Sequence, residues 1–430
     1  MEVALVGFGA AFALIFMRVP IALAMGVIGF LGFAYLVGWR PASSMLAMVS
    51  KDSTMTYSMV VIPLFILMGN LVAGTGISRE LYRAAQSFLG ARKGGLAVAT
   101  VVASGGFASI CGSSVATVVT MGKVAMPSMR QYGYDDRLST ASVAAGATLG
   151  ILIPPSVLLV IYGIITETHI GMLYAAGLIP GLLGIVLYIV AVRWTVWRYP
   201  DIAPAAERAP WSERIASLSH IWAAVLLFAV VIGGIYSGFF TSTEAAGFGA
   251  FGALVIALAR RKLGMAQFLD ILVDTAETTA VLFALIIGAG LFTEFLNYSG
   301  AHGALLDFVT NSGFSPALVI LVICVIYIIL GMLMESISMV LLTVPLFFPV
   351  VTGLGFDPVW FGILLVILCE LGLITPPIGV NLFVMRSVTP EVPISRIIRG
   401  IIPFIGVDLI RVALVALFPA IALFLPHLLF

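Results

Sequence analysis

Apolar residues follow one another along this chain in runs that polar residues seldom interrupt. The runs at 2–17, 20–38 and 56–75 each approach the length that crosses a bilayer. Residues 77–94 differ: Arg79, Arg83, Arg92 and Lys93 are interleaved with apolar positions, which predicts an amphipathic helix lying along an interface. The run at 95–128 is interrupted near its middle by Ser109-Ile-Cys-Gly-Ser-Ser114, and reads as two half-length helices around a small polar turn. Segments 139–165 and 170–192 follow, and then the only long polar stretch, 193–218. The second half has the same order: 219–239, 243–259 and 276–294, an amphipathic stretch at 296–314, and an interrupted run at 316–350 that turns near Gly331-Met-Leu-Met-Glu-Ser336. Segments 358–385 and 400–425 complete the chain.

One motif occurs twice. Leu149-Gly-Ile-Leu-Ile-Pro-Pro-Ser156 returns 222 residues later as Leu371-Gly-Leu-Ile-Thr-Pro-Pro-Ile378, with Leu, Gly and both prolines kept. The same offset carries Ser114 onto Ser336 and Pro127 onto Pro349. A proline pair cannot stay helical inside a spanning segment, because each proline lacks an N–H and crowds the preceding turn. Two membrane helices are therefore broken at matching places. Paired interruptions of this kind point to a transporter's binding site.

Composition narrows the class. The chain of 430 residues is 61% hydrophobic and 10% charged, with a mean hydropathy of +1.18, which predicts a polytopic helical membrane protein without a soluble domain. A net charge of +1 gives no footprint for nucleic acid. Cys111, Cys324 and Cys369 stand apart in apolar surroundings, so neither a disulfide framework nor a zinc site is expected. Met1-Glu-Val-Ala lacks a basic start, so no cleaved signal is expected. The positive-inside rule starts helix 1 outside, and with the two interrupted runs taken as re-entrant hairpins both termini are periplasmic. In that topology 18 of the 21 Lys and Arg residues are cytoplasmic; Arg40 and Lys51 lie outside, and Arg411 lies within the last helix.

Broken helices free backbone carbonyls at membrane depth, where only a protein-lined cavity tolerates them. Such carbonyls suit a dehydrated Na⁺, and half-helix N-termini suit an anion. A proline kink with no ligand is the alternative for either break alone. The polar turns offer Ser109, Gly112, Ser113 and Ser114 in one run and Gly331, Glu335, Ser336 and Ser338 in the other; close helix packing is the alternative reading of such small residues. Glu335, Glu370, Asp408 and Arg411 are ionisable groups in apolar segments. Asp408 and Arg411, three apart on one helix, read as an ion pair. Glu335 and Glu370 could tune a cation site or sense a proton. Gly247-Phe-Gly249-Ala-Phe-Gly252 matches a dinucleotide fingerprint but has no preceding strand, so helix packing accounts for it. With no P-loop and no nucleophile–base pair, neither an enzyme nor an ATP-driven pump is expected.

Four stretches carry a resemblance: Phe107-Ala-Ser-Ile-Cys-Gly-Ser-Ser-Val-Ala-Thr117, Gly150-Ile-Leu-Ile-Pro-Pro-Ser156, Phe240-Thr-Ser-Thr-Glu-Ala-Ala246 and Gly372-Leu-Ile-Thr-Pro-Pro-Ile-Gly-Val-Asn-Leu-Phe383. Together they resemble the large membrane subunit of tripartite ATP-independent periplasmic (TRAP) transporters, the DctM-like family. The resemblance implies a sodium-coupled, elevator-type importer of organic acids in the bacterial inner membrane. It implies two partners, a small four-helix membrane subunit on a separate chain and a periplasmic substrate-binding protein. Two or more sodium ions act as coupling ions, held mostly by backbone carbonyls. On matching positions the first Na⁺ site would use Ser109, Gly150, Ile153 and Pro155, and the second Gly331, Gly372, Thr375 and Ile378. Substrate is assigned to Ser113, Ser114 and Asn381. The first turn reads Ile-Cys-Gly-Ser-Ser where Ile-Ser-Gly-Ser-Ser is the commoner form.

The resulting expectation is an all-α polytopic protein of two inverted-topology repeats, each with a re-entrant hairpin and a broken transmembrane helix. The first repeat spans 1–197, with scaffold helices in 1–94, hairpin 95–128 and broken helix 139–165. A cytoplasmic connector covers 198–218. The second repeat spans 219–430, with scaffold helices in 219–314, hairpin 316–350, broken helix 358–385 and last helix 400–425. A binding-protein-independent sodium–dicarboxylate symporter of the same superfamily is one alternative, and a channel or membrane scaffold another.

Overall fold

A computed structural model describes residues 2–261 and 263–430. Met1 and Lys262, the last residue of the expected basic run Arg260-Arg-Lys262, lie outside the described residues. Among the described residues every regular element is helical, 21 α-helices joined by short turns. Six helices are each long and apolar enough to cross a membrane, and a pair bent by 46° makes a seventh candidate.

The first half contains α1 (Glu2–Phe16), α2 (Ile21–Val37), α3 (Trp39–Met55), α4 (Val61–Gly74) and α5 (Ile77–Leu89). Helix α5 is amphipathic, as its charge spacing predicts. The first interrupted run is α6 (Gly95–Cys111) and α7 (Ser114–Gln131); the broken helix is α8 (Asp136–Thr148) and α9 (Val157–Ile165). Then comes α10 (Ile170–Arg198). The second half contains α11 (Trp211–His220), α12 (Trp222–Tyr236), α13 (Ser242–Ala259), α14 (Met265–Tyr298) and α15 (Ala301–Asn311). Its interrupted run is α16 (Pro316–Gly331) and α17 (Ser336–Gly353), its broken helix α18 (Pro358–Ile374) and α19 (Val380–Val388), followed by α20 (Ile394–Leu417) and α21 (Ala420–Leu429).

Local chemistry sets the helix starts. Ser113, Asp135, Ser156, Glu335 and Asp357 each accept a backbone N–H from the first turn that follows. Thr241 and Glu244 form a reciprocal capping box.

One helix has no counterpart in the sequence reading, and three segments differ from it in extent. Residues 39–55 form helix α3; Arg40, Lys51 and Asp52 lower its hydropathy, and its exposed face hides the helical period. The polar connector is shorter than 198–218, because α10 is helical through Arg198 and α11 starts at Trp211. Helix α14 covers 34 residues instead of the apolar 276–294, extending through Asp270 and Asp274. The last segment, 400–425, is two helices, α20 and α21, parted at Phe418-Pro419.

The packing is reciprocal. Helix α2 lies along α14, and α13 lies along α4. Both members of the first interrupted run pack on α8, and both members of the second pack on α18. Across the halves, α19 covers α7 while α9 covers α17. The Tyr162 hydroxyl of α9 donates to the Pro358 carbonyl at 2.7 Å, fastening the first broken helix to the start of the second. Helices α8 and α18 are buried along their whole lengths apart from the first two residues of α8 and Pro358 of α18.

Candidate functional site

The site is built where each interrupted run meets its broken helix. In the first run α6 stops because Gly112 takes a left-handed conformation (φ +67°), its N–H closing on Ala108 O at 2.8 Å. Ser113 caps α7 by accepting from Ala116 N at 3.3 Å. Facing this tip, α8 tightens into a turn at 149–151 and then loses helical form at Pro154-Pro155, a cis bond. Ser156 starts α9 by accepting from Leu159 N at 3.2 Å, and its hydroxyl donates to Ile151 O. A Cβ on Gly150 would meet the Ala108 carbonyl carbon and oxygen at 2.7 Å each, and one on Gly112 would meet Pro155 O at 3.6 Å. The tip and the break are thus in direct backbone contact.

The second pair repeats this with different residues. A Cβ on Gly372 would lie 2.5 Å from Gly331 Cα and 2.8 Å from Gly331 O. Pro376-Pro377 is also cis. Thr375 donates its hydroxyl to Leu371 O at 2.5 Å and its amide to Gly372 O at 3.2 Å. The tip differs from the first in charge: the Glu335 carboxylate caps α17, accepting from Ile337 N at 3.0 Å and Ser338 N at 3.2 Å.

Of the eight residues expected to hold ions, seven are buried: Ser109, Gly150, Ile153, Pro155, Gly331, Gly372 and Thr375. Ile378 is the exception at 39% exposure. Seven of the eight carbonyls accept no backbone hydrogen bond; only Gly372 O does. Side chains contribute little, since the Ser109 hydroxyl donates to Gly106 O at 2.9 Å and Thr375 is engaged on Leu371. These carbonyls are hard, uncharged oxygen donors at helix ends, chemistry that fits an alkali cation.

Among the substrate candidates, Ser113 is half-buried and Ser114 buried at the start of α7. Asn381 is fully buried on α19; as assigned, its Nδ2 donates to Ala144 O of α8 at 3.2 Å, while its Oδ1 has no partner. Asn381 thereby joins the second break to the first broken helix. Ser336 Oγ is buried without a partner.

Two features escaped the sequence. The first is a buried charged network. Arg411 of α20 pairs with Glu370 of α18 and, at 2.9 Å, with Asp408. Tyr188 of α10 donates to Asp408 at 2.5 Å and shares a 3.1 Å hydrogen bond with Thr148 at the end of α8. Only the Asp408–Arg411 pair was evident from spacing. Glu335, grouped with Glu370 in the sequence, is a helix cap outside this network. The second is an open cavity of about 1150 Å³ bordered by α3, α14, α15, α17 and the turns before α10 and α13. Asp52, Glu167 and Glu294 line it with His169 and His302, and no Lys or Arg does. None of the eight carbonyl residues borders it.

The remaining motifs take their ordinary roles. Gly249 and Gly252 lie on α13, where an added Cβ would meet Met68, Val231 or Leu227, so the glycine pattern serves helix packing. All three cysteines are buried thiols.

Residues 8–421 match the family model of the tripartite ATP-independent periplasmic transporter, DctM component. The chain belongs to this family. It is 37% identical over 384 residues, 89% of each chain, to the C4-dicarboxylate TRAP transporter large permease protein DctM of Pseudomonas aeruginosa. It is 33% identical over 375 residues to the sialic acid TRAP transporter large permease protein SiaM of Vibrio cholerae, covering 86% of this chain and 87% of that one. The fold is similar to the crystal structure of the Alcanivorax borkumensis YdaH transporter, with a TM-score of 0.60 at 16% identity over 89% of both chains. Family membership makes this DctM-family chain a transporter component and a multi-pass inner-membrane protein, not a member of an enzyme family.

Proposed function

We propose that this DctM-family chain is the large permease of a sodium-coupled, binding-protein-dependent importer of organic acids. The observation that carries the proposal is the set of seven backbone carbonyls without backbone hydrogen bonds, six of them on buried residues, on the two tips and the two breaks that touch one another. An unpaired buried carbonyl costs roughly 1–3 kcal/mol, which a bound cation would offset. One ion would be held by Ser109, Gly150, Ile153 and Pro155, the other by Gly331, Gly372, Thr375 and Ile378. Exposed Ile378 would complete its site last. A sodium ion moving inward releases about 2.3 kcal/mol per 100 mV, so two ions offset the charge of a dicarboxylate.

The two tips divide the labour between ion and anion. Glu335 already occupies the amides at the start of α17, which repels a second carboxylate there. Neutral Ser113 leaves the positive end of α7 open to one. With Ser114 beside it and the unpartnered Oδ1 of Asn381 on α19, the first tip is the better carboxylate site. A small carboxylate, with C4-dicarboxylates first to be tried, is supported by the names of the two relatives above, since sialic acid is also a carboxylate.

The reciprocal packing supports two inverted repeats, each comprising scaffold helices, a re-entrant hairpin and a broken helix. The moving unit of an elevator would be α6–α9 and α16–α19. The acidic cavity serves as the outer entrance in this reading, because every element lining it falls on the periplasmic side of the charge-derived topology. The partners would be a small membrane subunit on its own chain and a periplasmic binding protein that selects the substrate.

Proteoliposomes containing the chain and both partner proteins test the proposal. Uptake of a C4-dicarboxylate is expected with an inward Na⁺ gradient and not with K⁺, and only with the binding protein present. Sodium-independent uptake refutes the coupling, and uptake without the binding protein refutes the tripartite arrangement.

A further inference from the structure

Two arginines are buried among the described residues, Arg411 and Arg214. Arg411 pairs with two carboxylates. Arg214, on α11, pairs with none among the described residues. It is 8% exposed, and its Nε is buried without a hydrogen-bond partner. Its guanidinium lies 4.9 Å from the ring centre of Trp211 and 5.8 Å from that of Phe88 on α5, contacts that hold a cation without neutralising it. The neighbouring acid, Glu213, is engaged by Arg83 at 3.5 Å. Arg260, at the other end of α11, is satisfied: it donates to both Glu80 oxygens at 2.8 and 2.7 Å and to His220 O at 3.3 Å. A guanidinium withdrawn from water with no counter-ion is costly, a cost that an anion from outside the chain would offset.

A second feature lies at the same place. Helix α11 has no side-chain cap at its start. The amides of Glu213 and Arg214 both bond to Pro210 O, which leaves those of Trp211 and Ser212 without an acceptor among the described residues. Since the Arg214 guanidinium stacks on Trp211, the first residue of the helix, the unpaired cation and the open amides share one end of α11. The surroundings are apolar. Trp211, Ile215, Leu218 and Trp222 recur at helical spacing and are all exposed. Helix α11 is bent by 46° from the apolar helix α12, the attitude of a helix lying in an interface, and it is fastened to amphipathic α5 by a 3.0 Å hydrogen bond between Ser217 and Ser87.

We propose that Arg214 and the start of α11 bind the phosphate of an anionic phospholipid of the cytoplasmic leaflet, whose acyl chains lie along the Trp211–Trp222 stripe. Arginine suits a phosphate because its planar fork offers two parallel donors. A lipid is favoured over a free anion because the cation and the exposed apolar stripe adjoin, and the cytoplasmic leaflet is the one that carries anionic headgroups. Bound there, the lipid ties α11, and through Ser217 also α5, to the membrane surface. The inference takes its leaflet from the charge-derived topology and stands apart from the sodium and substrate readings.

The test follows the melting temperature of the purified transporter in neutral detergent as phosphatidylglycerol, phosphatidylcholine or potassium phosphate is added. Phosphatidylglycerol is expected to stabilise the parent, and the other two to leave it unchanged. Half-maximal stabilisation should need about fivefold more phosphatidylglycerol in Arg214→Gln, and about threefold more in Arg214→Lys, which keeps the charge but loses the fork. Equal stabilisation by phosphatidylcholine overturns the anion site, and equal stabilisation by potassium phosphate overturns the lipid as its source. Parent midpoints in both variants overturn the role of Arg214; loss of the small membrane subunit from those variants would then assign the guanidinium to a partner's acid. If Arg214→Gln does not assemble, Arg214→Lys and the parent's choice between the two lipids decide the matter.

Discussion

The contact between Gly372 and Gly331 makes the most demanding prediction. Substituting Gly372→Ala puts a methyl group 2.5 Å from Gly331 Cα, 2.6 Å from its carbonyl carbon and 2.8 Å from its oxygen. Carbon atoms settle at about 3.5–4.0 Å, so the tip and the break must part by about 1 Å. All three obstructing atoms are backbone, and no rotamer change relieves them. Overpacking of this kind costs about 1–3 kcal/mol, and the rigid surroundings argue for the upper end. The reverse substitution, Gly331→Ala, approaches Gly372 Cα at 3.0 Å and needs only about half that separation. Sodium-dependent stabilisation should therefore weaken roughly 10- to 100-fold in Gly372→Ala and less in Gly331→Ala. Gly303→Ala, whose Cβ meets nothing within 4 Å on α15, serves as control; a small gain of about 0.5–1 kcal/mol is expected from helix propensity. The assay is a melting curve at graded Na⁺ concentrations, with K⁺ holding ionic strength constant. A Gly372→Ala protein with the parent's sodium midpoint would refute the view that this contact builds an ion site.

Other outcomes follow from the same structure. Gly184→Ala would drive a methyl group into the Arg411 guanidinium and should destabilise the protein by about 1–3 kcal/mol, read as a lower melting temperature. Asn381→Leu removes the donor to Ala144 O and the unpartnered Oδ1; the substrate KM should rise about tenfold or more while sodium-dependent stabilisation is kept, and an unchanged KM would exclude Asn381 from the substrate site. Glu391, between α19 and α20, is held below its ordinary value of 4.5 by a backbone hydrogen bond at its own residue and by Arg130 2.5 Å away. A lowered folded-state value stabilises above the unfolded one and is lost as pH falls through it. The melting difference between the parent and Arg130→Gln should thus be present at neutral pH, vanish as pH drops below 4.5, and shrink with salt, since both groups are largely exposed.

The breaks and tips were legible because their chemistry is local. Pro154-Pro155 and Pro376-Pro377 forbid helix whatever surrounds them, and Gly112-Ser113 ends one helix and caps the next. Grouping Ser109 with Gly150 and Gly331 with Gly372 came from the family resemblance, the internal repeat matched Ser109 to Gly331 and Gly150 to Gly372, and the structure brings the two tips onto the two breaks. Helix α3 was not legible because charged residues along it mask its period in a hydropathy reading. The break at Phe418-Pro419 lies inside an unbroken apolar run, where Pro419 was the only signal. The charged network was hidden for a different reason. Tyr188 and Asp408 are 220 residues apart, and no spacing rule relates a tyrosine on α10 to an aspartate on α20. Spacing gave the Asp408–Arg411 pair, but the shared repeat position of Thr148 and Glu370, which would have drawn in the rest, links a hydroxyl to a carboxylate instead of like to like.

The crossed covering of α7 by α19 and of α17 by α9 has a consequence for how the protein is made. Helix α7 is complete at residue 131, yet the helix that closes over it begins at residue 380. Until most of the chain has left the ribosome, the first tip has a bare flank, because neither half supplies the helix that covers its own tip. The halves therefore mature as each other's lids. A polypeptide ending in the linker before α11 should be protease-sensitive when made alone and protected when residues 204–430 are supplied in trans.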